Sequence, residues 1–454
     1  MDENEFVDNN NAIFKVEDKI SKKSMINNLI IQLDNAISED SYDNIIKFLK
    51  LCILYTKNYP IPINPTVISY NFIPNIVHLY FSSYEDKSKL AIKLLLKISF
   101  HQKSEIMQYF IENNFFEAIL NNLFTIQDQN IIHKSLKFII NVISDFSQAI
   151  NVIYLYPDII ETFFQVIIAN EILHENIEKT IVILSIISEA EINFEQKKPI
   201  FYESISLLSD ESYQQFWPLI LSIPASMIIN NEISKFMFTE TKLLQICQSY
   251  LRCNDEILLD ATIRCIGRYF LFESKYICID YWKIMKCAES TNSKLSYASL
   301  WLLSNALACN SEMISTIESS GDIYRLLRSF FSNDSIIKCK LEACRAMQSI
   351  IKQGRKDQIE NAIRSDFIFG FIQVVEIENS SNEMKLAEDI IKTIDFLLNV
   401  KVFQMKDSKL KKICKKQFSQ AGGYEAFENL LDCEFDNVAR AAQNFLDKMQ
   451  ENYK

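Results

Sequence analysis

The sequence predicts an all-α solenoid of stacked helices, and three observations predict it. The 454 residues include only 6 Gly and 8 Pro. That is too few for an all-β fold, which needs a turn about every 8–12 residues, or for the Gly-rich turns of a parallel α/β fold. Apolar residues recur at i, i+3, i+4 and i+7, the spacing of one helix face. Segments with this spacing return at a steady period, the mark of a repeat architecture.

The recurring segments are Ala91–Ile98, Leu136–Ile143, Thr180–Ile187, Phe216–Ile223, Ala261–Phe270, Ala298–Ala306, Ala343–Ile351 and Ile390–Leu398. Equivalent positions within them (Lys93, Lys137, Ile181, Trp217, Arg264, Trp301, Arg345 and Lys392) lie on average about 43 residues apart, inside the armadillo and HEAT range of about 40–47. On period alone these two repeat types fit equally well. A second apolar helix is expected before each of these segments, as in Asn71–Phe81, Phe115–Phe124, Ile159–Ala169, Lys242–Leu251 and Asp322–Phe331. Polar loops such as Ser83–Lys87 and Ser332–Ser335 join the two. One helix pair cannot bury its own apolar face, so pairs must stack on their neighbours. Residues 1–24 lack the period and are rich in Asp, Glu and Asn, so they read as a mobile acidic tail before a solenoid over 25–454. The lysines at 406, 409, 411, 412, 415 and 416 read as a solvated helix face.

Composition excludes several functions. Hydrophobic residues make up 48% of the chain, so wholesale disorder is excluded. The net charge is −11, and no basic domain of the kind that binds nucleic acid is present. The 11 Cys form no CxxC pair, and the 4 His lie away from Cys pairs, so zinc spacing is absent. Cys265, Cys309 and Cys344 fall on expected core faces and read as buried reduced thiols, which implies a reducing compartment. Charge interrupts every apolar run before about 18 residues, so no membrane span is expected. The acidic, polar stretch Met1–Asn11 does not read as a signal peptide. No phosphate-binding GxxxxGK loop or nucleophile elbow occurs, so neither an enzyme nor a cofactor is expected.

Residues 298–317, ASLWLLSNALACNSEMISTI, place Trp301 and Asn305 one helical turn apart on one face. This resembles the repeat core of the importin-α family. Further matches follow in repeat order. Arg264, Ile266 and Gly267 resemble the family's Arg-x-Ile-Gly segment. Glu342, Ala343, Gly354, Gln358 and Ile359 resemble its next repeat. Gly422, Gly423, Phe427, Glu428 and Leu430 resemble its closing segment, and Phe72, Ile73 and Pro74 resemble the join in its first repeat. The resemblance implies a right-handed armadillo-repeat superhelix of about ten repeats with a concave groove. In that groove an Asn clamps the backbone of an extended peptide, and Trp rings receive the stems of its Lys and Arg side chains.

What the resemblance further implies is a cargo adaptor for protein import into the nucleus, shuttling between cytoplasm and nucleus. Its cargo would carry a basic nuclear localisation segment, and its carrier would be of the importin-β type. Neither nucleic acid nor membrane is an expected partner. The implied peptide-binding residues are Arg264, Trp301, Asn305 and Glu342 on repeats six to eight, with Asn141 and Asp145 on the third repeat. The sequence departs from the family on repeats two to four, where the ring positions are Lys93, Lys137 and Ile181 and the clamp positions are Lys97, Asn141 and Ser185. Added lysines there would repel a basic peptide, so the cargo segment is placed on repeats six to eight. Residues 1–24 hold Lys15, Lys19, Lys22 and Lys23 among acids rather than the basic carrier-docking segment of the family. The rival reading is a diverged armadillo scaffold that holds another protein without import.

Overall fold

The structure is a computed structural model describing residues 22–58, 72–101, 105–123, 125–168, 173–272, 277–332, 335–376, 381–399 and 408–451. Every regular element among them is a helix, and none is long and apolar enough to cross a membrane. The chain divides into two compact units, residues 1–203 and 204–454.

The first unit opens with two helix pairs, α1 (Lys22–Ser38) with α2 (Tyr42–Asn58) and α3 (Phe72–Tyr80) with α4 (Glu85–His101). Two triplets follow: α5 (Glu105–Glu112), α6 (Phe115–Asn122) and α7 (Gln129–Asp145), then α8 (Gln148–Leu155), α9 (Pro157–Ile168) and α10 (His174–Glu189). Helix α11 (Phe194–Leu208) carries the unit boundary. The triplets, each with its third helix the longest, resolve what the period left open. The fold is an armadillo-type α-solenoid rather than a stack of two-helix HEAT units.

The third helices α4, α7 and α10 pack side by side. Leu136, Phe138, Ile139, Val142 and Ile143 of α7 are buried to 2% exposure or less, each contributing about 1.5–3 kcal/mol through apolar burial. Boundaries in a chain so poor in Gly and Pro come from Asn and Asp. Asp128, for example, caps α7 by accepting from the amides of Asn130 and Ile131, which satisfies donors that the helix start leaves free. At the far end of α10, the buried Lys197 ammonium donates to the carbonyls of Ser188 (2.8 Å) and Ala190.

His133 links α7 to α10. Its Nδ1 lies 3.1 Å from the Asn176 carboxamide oxygen and 3.5 Å from a Glu175 carboxylate oxygen. Burial, and then the charges of Lys179 and Lys137, lower its pKa below the ordinary imidazole value. Above about pH 6.5 the ring is neutral in both folded and unfolded chains. As pH falls through that value the unfolded chain takes the proton first, so this contribution to stability is lost on acidification. The melting temperature of the first unit is therefore expected to fall from about pH 7.5 to 5.5 less steeply in His133→Gln than in the parent, as read by circular dichroism. Equal slopes would show that His133 contributes nothing to the pH dependence.

The second unit begins with a 3-10 turn (Glu211–Phe216) and two short helices, α12 (Trp217–Ile220) and α13 (Ser222–Met227). The sequence pattern reads Phe216–Ile223 as one helix, but Pro218 and Pro224 divide it because each lacks an amide hydrogen and clashes with the preceding turn. Trp217 is a packing residue, stacked on Tyr250 at 4.7 Å with its indole N–H toward the Leu207 carbonyl. Then come α14 (Asn231–Thr239), α15 (Leu243–Tyr250) and α16 (Glu256–Phe272), and the pair α17 (Tyr281–Ala288) and α18 (Ser293–Leu307). Three triplets complete the unit: α19 (Ser311–Ser320), α20 (Ile323–Ser329) and α21 (Ile337–Gln353); α22 (Lys356–Arg364), α23 (Ile368–Val375) and α24 (Ser381–Asn399); and α25 (Ser408–Gln420), α26 (Gly423–Asn429) and α27 (Asp436–Glu451). Gly422, at φ 72°, supplies the left-handed turn between α25 and α26. Gly423 lets the Phe418 ring sit where a Cβ would be and join Phe427 and Phe445.

Several expectations change. Trp282, on an apolar helix of the kind that packs between repeats, is 54% exposed and lies beside Lys286. Cys265 and Cys344 are buried, whereas Cys309 lies beyond the end of α18 and is half-buried. Ile181 is fully buried and Val182 takes the exposed position, because the pattern of α10 is one residue out of step with that of α7. Helix α4 starts inside the expected loop Ser83–Lys87, and α1 starts inside the expected tail. Lys411, Lys412 and Lys416 are exposed on α25, as read. Residues 1–21, the loop positions 333 and 334, and Lys406 lie outside the described residues.

Candidate functional site

In the second unit the third helices lie side by side in the order α16, α18, α21. Each buries most of its circumference and leaves one stripe in solvent, at a spacing of three and four residues. On α16 the central stripe is Asp260, Arg264 and Arg268; on α18 it is Tyr297, Trp301 and Asn305; on α21 it is Arg345 and Ser349. The sequence places Arg264, Trp301, Asn305 and Glu342 at one site, and the structure brings the first three to this surface.

Trp301 reaches sideways onto α16. A Cβ built on Gly267 would fall 2.4 Å from the indole Cζ3, so the absence of a side chain at 267 leaves room for the benzo edge of the ring. The ring is thereby packed at this edge while the residue stays half-exposed. Arg264 is anchored by its Nε–H to Asp260 Oδ2 at 2.9 Å, and its guanidinium lies 5.9 Å from the Tyr297 ring centroid. Burial raises the Tyr297 pKa, with a further contribution from Glu342, and Arg345 and Arg264 oppose it. The phenol therefore stands within electrostatic reach of both flanking helices.

Two polar groups of the stripe keep a buried atom without a partner among the described residues: Asp260, at Oδ1, and Asn305, at its amide Nδ2. An unsatisfied buried donor costs about 1–3 kcal/mol. Asn141, the equivalent residue in the first unit, donates instead to Ser99 Oγ at 3.1 Å and so is engaged by α4. Asp145, one turn further along α7, is exposed.

Glu342 is not presented on the surface. It is 3% exposed, accepts from Ser304 Oγ at 2.7 Å, and binds Arg345 Nη1 at 2.5 Å. The ion pair lies in the wall between α18 and α21, because position 342 faces α18 while 345 faces outward. Sequence reasoning missed Tyr297 and Arg268 as members of the stripe. Counting one turn back from Trp301, and one turn on from Arg264, would have found both.

Two of the residues that carry the family resemblance are structural. Gln358 is fully buried. Its carbonyl oxygen accepts from the Arg355 amide at 2.8 Å, and its Nε2 donates to Ser315 Oγ at 3.0 Å and Glu318 Oε2 at 2.9 Å. It thus ties α22 to α19. Gly354 lies where the chain passes from α21 into α22.

The fold and this surface define an all-α armadillo-type repeat protein. An engineered protein of known crystal structure matches 93% of this chain and 99% of its own, with a TM-score of 0.63 and 15% identity. A designed armadillo repeat protein solved in complex with the peptide (KR)4 matches 54% of this chain and 97% of its own, at TM-score 0.43 and 16% identity. A computationally designed armadillo repeat protein for modular peptide recognition matches 54% and 98%, at 0.43 and 15%. No protein-family model matches the chain, and no curated protein does.

Proposed function

We propose that this chain is a non-catalytic protein-binding scaffold that holds an extended segment of a partner along the α16–α18–α21 stripe. The observation that carries this reading is the buried, partnerless Asn305 amide one turn from a half-exposed indole. A peptide carbonyl would satisfy the amide, and an aliphatic or aromatic side chain would cover Trp301. The finer form of the reading is the importin-α-like adaptor, present in cytoplasm and nucleus, that carries cargo with a basic localisation segment. The Trp301–Asn305 pair supports it. It requires the cargo's basic side chains to approach Asp260 past Arg264, since Glu342 is enclosed and paired with Arg345.

Fluorescence anisotropy with an extended peptide selected for binding tests the scaffold. Trp301→Ala and Asn305→Ala are each expected to weaken binding by about tenfold or more, equivalent to roughly 1.4 kcal/mol. Unchanged affinity in both variants would refute the stripe as the site. Competition by a bipartite basic peptide tests the import form separately, since only that form expects displacement.

A further inference from the structure

The third-helix row of the first unit carries a different surface, assembled from α4, α7 and α10. Its exposed and half-exposed positions include Lys93 and Lys97 on α4, Lys134 and Lys137 on α7, and Lys179 on α10, with the carboxylates Glu175, Glu178 and Asp145 toward the helix ends. Three contacts fix the helices against each other. Lys89 pairs with Asp128 at 2.9 Å, Asn141 donates to Ser99 at 3.1 Å, and His133 meets Asn176 at 3.1 Å. Among the described residues, none of these five lysines is in an ion pair with a carboxylate. Lys179 donates only to the Glu175 carbonyl, at 3.1 Å. The lysines crowd one another: burial and then Lys93 lower the pKa of Lys134, with Asp128 opposing, and burial and then Lys137 lower that of Lys179, with Glu175 and Glu178 opposing. A chain of net charge −11 that gathers like charges on one face bears a repulsive cost there.

We propose that this lysine strip is a second binding surface, for an extended acidic segment of a partner protein. An anionic ligand would convert the repulsion into attraction and speed the encounter. The side chains between the lysines favour a peptide over a nucleic acid. Leu96, Ile140, Val182 and Ile186 are aliphatic, whereas single-stranded nucleic acid is held on aromatic platforms; among the described residues the rings here are Phe100 at the edge of the strip and His133, which is engaged by Asn176. Asn141 and Ser185 supply polar groups at the same level. This surface lies in a different unit from the Trp301 stripe, so each stands without the other.

The test is anisotropy on the full chain with length-matched labelled peptides of alternating Glu and Ile, Gln and Ile, or Lys and Ile, and with oligouridine. The Glu peptide is expected to bind about tenfold or more tighter than the Gln and Lys peptides, and to weaken steeply as salt rises from roughly 50 to 500 mM. The double variant Lys93→Glu, Lys137→Glu should lose that binding about tenfold or more, while Trp301→Ala keeps it. Because reversal removes repulsion, the melting temperature of the double variant should equal or exceed that of the parent. Loss of Glu-peptide binding in Trp301→Ala with none in the double variant would overturn the lysine strip and leave the stripe of the second unit standing. Oligouridine binding tighter than the Glu peptide would overturn the choice of a protein partner. Equal affinity for all three peptides would overturn the proposal outright.

Discussion

Arg345→Met is expected to destabilise the second unit by about 2–4 kcal/mol. Glu342 is almost fully enclosed, and its carboxylate is satisfied by one arginine and one hydroxyl. Removing the arginine leaves a buried charge with only Ser304 for company, and breaking a buried pair from one side costs about 3–5 kcal/mol. The lower range applies because the Arg345 side chain is 40% exposed, so water already screens part of the interaction. Methionine keeps most of the stem's packing, which separates lost charge from lost contact. Adding Glu342→Gln should recover part of the stability, since an amide needs no counter-charge. Chemical denaturation would read both changes. An Arg345→Met variant as stable as the parent would show that the pair contributes little.

Gln358→Met is expected to cost about 2–4 kcal/mol, and to act between repeats rather than within one. The side chain keeps its length but loses four hydrogen bonds, among them one from Nε2 to the Ser311 carbonyl at 3.4 Å. The Arg355 amide, Ser315 and the Glu318 carboxylate would each lose a partner. Glu318 also accepts from Tyr324 Oη at 2.5 Å, so the disturbance reaches α20. In a solenoid, stability is a sum of repeat and nearest-neighbour terms. Hydrogen exchange should therefore accelerate first in α19 and α22, where the amide bridged two repeats. Uniform acceleration across the whole chain would contradict a local coupling role.

Helix content and period were legible from spacing alone, because the apolar pattern of helices such as α7 and α18 is set by burial against both neighbours. The number of helices per repeat was not. The short first helices, such as α5 and α14, are eight and nine residues long, little more than two turns, and their patterns merge with those of the helices that follow. The break at Phe216–Ile223 was written in Pro218 and Pro224 but hidden by a good apolar period. At the candidate site, the i, i+4 relation of Trp301 and Asn305 follows from helix geometry and needs no tertiary information. The burial of Glu342 does need it: positions 342 and 345 differ by one turn on the same helix, and only the arrival of α18 decides which of them faces the wall. The same holds for the lysine strip, since Lys134 and Lys179 join Lys93 and Lys137 only once α4, α7 and α10 lie side by side.

Photo-cross-linking tests the central claim most directly: that solvent-facing third-helix residues of the second unit receive a ligand. An extended peptide that binds the full chain would carry a photoreactive group, and adducts would be mapped by mass spectrometry. Adducts on Tyr297, Trp301 or Asn305, or on Arg268 or Arg345 of the flanking helices, are the predicted result. Adducts confined to the other exposed face, around Trp282 or Phe369, would contradict it.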